Sequence, residues 1–268
     1  MGMFGYQFFI NALLGVILIS VAAAMVGTYI VTRRMVAISG GITHACFGGL
    51  GLGCYLGWSP MALAGVFAVG SALGVEWLST RHRVREDSAI AVVWAVGMAV
   101  GVIFVFLTPG FVPELNSFLF GNILTISRAD LWIFAAYLLL LGGFFLWKFN
   151  EIVACAFDVD FARVMHLPVG FVNTVMTVLV AVCIVLTIRL VGIMLLMSMF
   201  SLPQLTAEVF TRRFRGMMLL SVVISLLCCV GGLMLAMYVD VPCSALIVIV
   251  MGTVFALAKL LRPILPLK

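Results

Sequence analysis

Few side chains in this sequence can do chemistry, and each stands against an apolar background. His44 follows Ser39-Gly40-Gly41-Ile42-Thr43, about one turn inside an apolar run. An ionisable group at that depth is costly and is a functional candidate for that reason. Imidazole suits borderline metals such as zinc, manganese and iron(II). The same residue also reads as a histidine satisfied by a nearby backbone carbonyl or hydroxyl, and the residues alone leave both readings open. Glu76 reads as a partner of Arg81 or Arg83, because long cations at the ends of apolar runs bend back and pair. Glu208 reads as a partner of Arg212, four residues on and on the same helix face. Asp240 reads as a cap or a solvated loop residue, and His82 and His166 as solvated loop histidines.

A second constellation is Phe157-Asp158-Val159-Asp160-Phe161-Ala162-Arg163, lying between two long apolar runs. Asp158, Asp160 and Arg163 put three charges close together. Phe157, Phe161 and Val164 recur at helical spacing and form one apolar stripe. Such a segment offers a docking face outside lipid, where a protein without a motor of its own can be pushed by one.

The elements that position these residues must be membrane helices. Hydrophobic residues make up 65% of the 268, charged residues 9%, and the mean hydropathy is +1.31. A span takes roughly 20 apolar residues, so the chain has room for eight or nine and for no soluble domain. The expected class is all-α, a polytopic integral membrane protein of about eight or nine transmembrane helices, as one domain over 1–268. The first run, near Phe8 to Val31, is too long for a signal peptide and reads as a retained span.

Charges and turn residues punctuate the rest. Arg33 and Arg34 end the first span, and Gly57-Trp58-Ser59-Pro60 separates the second from the third. Arg81, His82, Arg83, Arg85, Glu86 and Asp87 form a basic loop after the third. The fourth runs from about Ser88 to Leu107. Residues Phe111 to Ile126, broken by Pro113 and Glu114, read as re-entrant or interfacial. A span over Leu131–Trp147 ends at Lys148, and a loop over Asn150–Pro168 follows. Apolar sequence continues over Val169–Ile188 and Leu190–Leu205 with Arg189 between, where a kink or a short helix changes the span count by one. The last two spans cover Met217–Val239 and Ser244–Leu261. Placing the Arg-rich loops in the cytoplasm puts the N-terminus outside, the C-terminus inside and 150–168 inside. Glu114, Asp130 and Asp240 fall on the outer side.

Glycines crowd the second span at Gly40, Gly41, Gly48, Gly49, Gly51 and Gly53. They read as close helix packing, and they also leave room for an ion beside the helix. The seven cysteines form no C-x-x-C pair and read as small apolar residues. The net charge of +5 comes without a basic stripe and aromatics, so no nucleic-acid partner is expected. No G-x-x-x-x-G-K-[ST], H-E-x-x-H or G-x-S-x-G occurs, which argues against P-loop ATP binding and the commonest hydrolase designs.

Three stretches together resemble the permease subunit of ABC importers for zinc, manganese or iron(II). They are Arg33-Arg34-Met35 with Ser39 to Ala45; Phe120-Gly121-Asn122 through Leu131, with Phe157 to Val169; and Arg189-Leu190-Val191-Gly192 with Pro203, Thr206-Ala207 and Asp240-Val241-Pro242. The resemblance implies that His44 lines the metal path. It implies that Phe157–Val169 is the cytoplasmic coupling helix seated on the ATPase subunit, with Phe157, Asp158, Asp160, Phe161 and Arg163 as contacts. It also implies a homodimer in the lipid bilayer of the cell's inner membrane, served by ATP-binding ATPase subunits and an extracytoplasmic metal-binding protein, with no cofactor and no enzymatic activity of its own. The family pattern carries Asp where this chain has Gly41. Thr43, Glu208 and Asp240 are candidate replacement oxygens, and Cys46 and Cys54 are softer candidates nearby. The family pattern has Gly where His166 stands.

One alternative within the class and two other classes remain. An ABC permease for a metal chelate such as a siderophore or cobalamin shares the coupling architecture in a longer chain. A secondary transporter predicts paired midplane carboxylates and inverted repeats, neither of which the sequence shows. An intramembrane enzyme needs a catalytic pair at depth, and only His44 lies there.

Overall fold

The computed structural model describes residues 7–82, 84–109, 121, 123, 126–239 and 241–262. Among these the chain is helical and contains no strand. The helices are α1 (Gln7–Thr32), α2 (Ala37–Leu56), α3 (Pro60–His82), α4 (Glu86–Leu107), α5 (Arg128–Phe157), α6 (Val159–Val164), α7 (Val169–Met199), α8 (Leu202–Phe210), α9 (Phe214–Val239) and α10 (Cys243–Leu261). Seven described stretches are long and apolar enough to cross a bilayer: α1, α3, α4, α5, the α7–α8 run, α9 and α10. At 20 residues α2 also has the length of a span, about 30 Å, but its glycines and His44 dilute its apolarity. The protein is an all-α, multi-pass membrane protein.

Contacts divide the chain into two compact units. One is Met1–Thr32, Ser117–Phe144 and Leu190–Lys268; the other is Arg33–Asn116 and Phe145–Arg189.

In the first unit α1 packs on α8 and α9, and α10 packs on the same two helices. Polar side chains pin these contacts where lipid supplies no partner. The fully buried Gln204 donates through Nε2 to the carbonyls of Ala23 at 2.8 Å and Met199 at 3.1 Å. Ser225 donates to Ser20 at 3.1 Å, and Asn11 to the Ile126 carbonyl at 3.1 Å.

In the second unit α2 packs on α3 and α4, and α3 on α4. Glycines let the backbones touch. A Cβ at Gly49 would meet the Leu63 carbonyl and, at 2.7 Å, the Ala64 Cα; one at Gly51 would fall on the Gly101 carbonyl; one at Gly97 would sit 2.5 Å from Ala45 Cα. The packing reading of the α2 glycines is therefore the one the structure gives. Gly57 closes α2 at φ 68, a conformation that favours glycine. Its N–H donates to Cys54, and that of Trp58 to Gly53, the usual way of satisfying the last carbonyls of a helix. All seven cysteines are free.

Several boundaries differ from the sequence reading. Arg189 does not divide two spans; it sits within the helical part of α7, and the break comes at Gly192, at φ 78 and ψ 174. Leu190–Leu205 is accordingly not one span but the end of α7, a turn at Phe200–Ser201 and the start of α8. Lys148 does not end a helix either. It is a kinked residue at φ −119 and ψ 28 inside α5, and its Nζ reaches Glu151 at 2.8 Å across the kink. Most of the expected 150–168 loop is thus helical. The expected re-entrant stretch over 111–126 lies outside the described residues, apart from 121, 123 and 126.

Candidate functional site

His44 lies on the second turn of α2, half-buried, with its ring stacked flat on Trp94 of α4. The centroids are 4.5 Å apart and the planes differ by 6°. This contact fixes the imidazole plane without using a ring nitrogen. Nδ1 is buried and has no hydrogen-bond partner, so neither a carbonyl nor a hydroxyl satisfies it, as the structural reading of this histidine requires. Thr43, a candidate oxygen, is fully buried and donates to the Ser39 carbonyl of its own helix, a common habit of hydroxyls inside helices.

The space of the family's carboxylate is occupied. A Cβ at Gly41 would lie 2.5 Å from Cγ2 of Ile90 on α4, so Ile90 fills the place such a side chain needs. Gly41→Asp alone is expected to lower stability, and Gly41→Asp with Ile90→Ala to recover most of the loss. A double-mutant cycle on thermal unfolding of the detergent-solubilised protein reads the coupling, about 0.5–3 kcal/mol for residues in contact. Additive effects would separate the two positions.

The other predicted ligands stand elsewhere in the chain. Glu208 is exposed near the end of α8, in the first unit. It makes no ion pair with Arg212, because Thr211 is extended at φ −149 and ψ 142 and breaks the helix that would have aligned them. Asp240 lies outside the described residues. Among the described residues no group of three or more His, Cys, Asp or Glu side chains forms a metal cage. Cys46 is fully buried and Cys54 partly so.

The segment after α5 folds as the amphipathic pattern predicts. Asp158 caps α6, its Oδ1 accepting the N–H groups of Asp160 at 2.9 Å and Phe161 at 3.0 Å. Carboxylates are favoured caps because they satisfy first-turn donors and suit the positive end of the helix dipole. Arg163 pairs with Asp160 at 3.0 Å. Phe157, Phe161 and Val164 are 57%, 56% and 73% exposed, an apolar stripe left largely open among the described residues. Ala162, on the opposite side, is fully buried. His166 stands at φ 55, a left-handed conformation that favours glycine, which is the residue the family pattern carries there.

Sequence reasoning missed two features. Trp94 is eight residues into α4, about 12 Å from its start; a tryptophan that deep, away from the interfacial belt, was the available signal. The second is the partnering of acids at the start of α4 and near the end of α3. Glu76 accepts a hydrogen bond from Thr174 at 3.0 Å rather than pairing with Arg81, and Arg83 is outside the described residues. Arg33 bridges Glu86 at 3.2 Å and Asn173 at 3.3 Å. Neither pairing has a local sequence signal, since the partners lie 53 to 140 residues apart.

Comparison with known proteins follows the same order of elements. A family model described as the ABC 3 transport family matches residues 5–262. A "Probable metal transport system membrane protein" of Chlamydia pneumoniae is 37% identical over 239 residues, covering 87% of this chain and 82% of its own. The "Manganese transport system membrane protein MntC" of Halalkalibacterium halodurans is 29% identical over 258 residues, covering 96% and 88%. Among solved structures, a chain of PsaBC from Streptococcus pneumoniae in complex with Fab matches with a TM-score of 0.82 at 26% identity, over 96% of this chain and 92% of that one.

Proposed function

The chain belongs to the ABC 3 transport family, and from that premise we propose that it is the transmembrane permease subunit of an ABC importer, carrying a divalent transition-metal ion into the cell across the cytoplasmic membrane. The relatives' names, metal transport in one and manganese transport in the other, support the substrate class. The whole chain acts as one permease domain. It works with separate ATPase subunits, an extracytoplasmic metal-binding protein and a second copy of itself.

The observation that carries this reading is α6. It is a short, capped helix between two long apolar helices, with an uncovered aromatic and aliphatic stripe. A partner must cover that stripe, and an ATPase seated there gains a lever on α5 and α7. Asp158 holds the helix start, Arg163 and Asp160 frame the stripe with charge, and Phe157 and Phe161 supply the buried anchors that dominate such interfaces. His44 supplies an imidazole nitrogen to the passing ion. Among the described residues no cage of three ligands surrounds it, which suits a site that must release its cargo, since transport needs binding weak enough to leave.

The test is ATP-dependent uptake into proteoliposomes containing this chain with its ATPase and binding protein, comparing Zn(II), Mn(II) and Fe(II). ATP-dependent uptake of one or more of these ions is expected. ATP hydrolysis without uptake of any would overturn the free-ion reading in favour of a chelate. Phe161→Asp places a charge on the stripe at an exposed position that the fold tolerates. Losing such an anchor costs about 2 kcal/mol or more, so ATPase assembly is expected to weaken by roughly 30-fold. Undiminished copurification of the ATPase with this variant would remove α6 from the contact.

A further inference from the structure

The second unit contains both α6 and His44, and a continuous line of contacts runs between them. It begins with the way α6 is mounted. At its entrance Asp158 N–H donates to the Ala154 carbonyl of α5 at 3.0 Å, and Ala162 N–H to that of Asp158 at 3.1 Å. At its exit Leu167 N–H returns to Ala162 at 3.1 Å, and Val169 N–H to Leu167 at 2.7 Å. Four residues separate α6 from α7, and three of them donate into the turn through their N–H groups. There is no slack, so displacing α6 displaces the first turns of α7.

Those turns carry two adjacent polar residues, one tied to α3 and one to the turn that follows α1. Thr174 donates to Glu76 of α3 at 3.0 Å. Asn173, itself buried, accepts from Nη1 of Arg33 at 3.3 Å, while Nη2 of the same guanidinium meets Glu86 at 3.2 Å. The Arg33 side chain is only 12% exposed. Glu86 is the first residue of α4, where a carboxylate is favoured by the helix dipole. From there α4 is stiffly joined to α2, since Gly97 and Gly101 seat on Ala45 and Phe47. It also carries Trp94, the plate under His44.

We propose that Arg33 is a positioning residue for transport: its guanidinium, bridging Asn173 and Glu86, carries the displacement of α6 and α7 to α4 and so to the His44–Trp94 pair. The proposal rests on the reading of α6 as the ATPase contact. Arginine suits the task because its planar fork holds two acceptors in fixed geometry, which the single point charge of lysine does not. The parallel Thr174–Glu76 bond makes α3 move with α4, keeping the three helices one body.

The experiment uses the complete complex in proteoliposomes and measures three quantities: copurification of the ATPase, ATP hydrolysis, and metal ions moved per ATP. The variants are Arg33→Gln, Asn173→Ala, and the exchange Arg33→Glu with Glu86→Arg. Phe161→Asp serves as the control on the α6 reading. Arg33→Gln and Asn173→Ala are expected to assemble and hydrolyse ATP, but to move about 2- to 30-fold fewer ions per ATP, the range over which residues on a coupling route act. The exchange is expected to recover at least half of the loss, because the Asn173 amide can donate as well as accept. An unchanged ion-to-ATP ratio in Asn173→Ala, which removes the bond to Arg33 and no charge, overturns the proposal. So does a loss in Arg33→Gln that the assembled exchange variant does not recover. If Phe161→Asp assembles and transports normally, the α6 reading fails instead, whatever the Arg33 variants do.

Discussion

Replacing His44 with alanine is expected to lower ATP-driven metal uptake by about 100-fold, while the complex still assembles and hydrolyses ATP. Groups that merely orient a metal ligand are worth about 10–100-fold, and a direct ligand is worth no less. The argument comes from the ring's surroundings. A buried polar atom without a partner costs about 1–3 kcal/mol, and such atoms in folded proteins call for an explanation. Nδ1 of His44 is one of them. Its ring is nonetheless held in place, by the face of Trp94 rather than by a hydrogen bond. Stacking fixes the plane and leaves nitrogen for an ion. Trp94→Leu keeps apolar bulk but loses the plate, and its expected loss is smaller, about 10-fold. Uptake at the wild-type rate in His44→Ala would take this residue off the ion's path.

The second large effect is on stability. Gly49→Leu is expected to lower the unfolding temperature of the solubilised protein by about 6–12 °C. Overpacking costs up to roughly 3 kcal/mol, and each kcal/mol is worth about 2–4 °C in chains approaching this size. The obstacle at Gly49 is the backbone of Leu63 and Ala64, which cannot swing aside as a side chain does, so α2 and α3 must separate. Gly143 on α5 is the contrast, because a Cβ there meets nothing within 4 Å. Gly143→Leu is expected to shift the midpoint by no more than about 2 °C, within the ±0.5 kcal/mol usual for open positions. Equal shifts in a fluorescence-detected melt would show that the α2–α3 contact is not the tight one.

Much of this architecture was legible because charges and turn residues are so scarce. Gly57 to Pro60 marked the α2–α3 turn, and the depth of His44 and the stripe of α6 followed from spacing alone. The boundaries that failed did so for physical reasons. Arg189 reads as a stop, yet a long cation is carried on a continuous helix when its head reaches a polar surrounding. The real break needs a positive φ at Gly192, and one glycine among 26 gives no such sign. The Glu208–Arg212 pair assumed four residues of unbroken helix, which the extended Thr211 removes. Glu76, Arg33 and Trp94 find partners on other helices, and nothing local in a sequence names a distant partner.

The fit of Ile90 against Gly41 bears on how this chain can change as well as on its mechanics. With glycine at 41 and Ile90 in the space beside it, an acid cannot easily be introduced. Introducing the acid first forces it into Ile90. Trimming Ile90 first opens a void between α2 and α4, at the cost that any emptied core site carries. Each step is harmful alone and tolerable only with the other. Packing therefore holds the glycine in place whatever ion is carried, and substitutions that adjust ion preference are expected at positions other than 41.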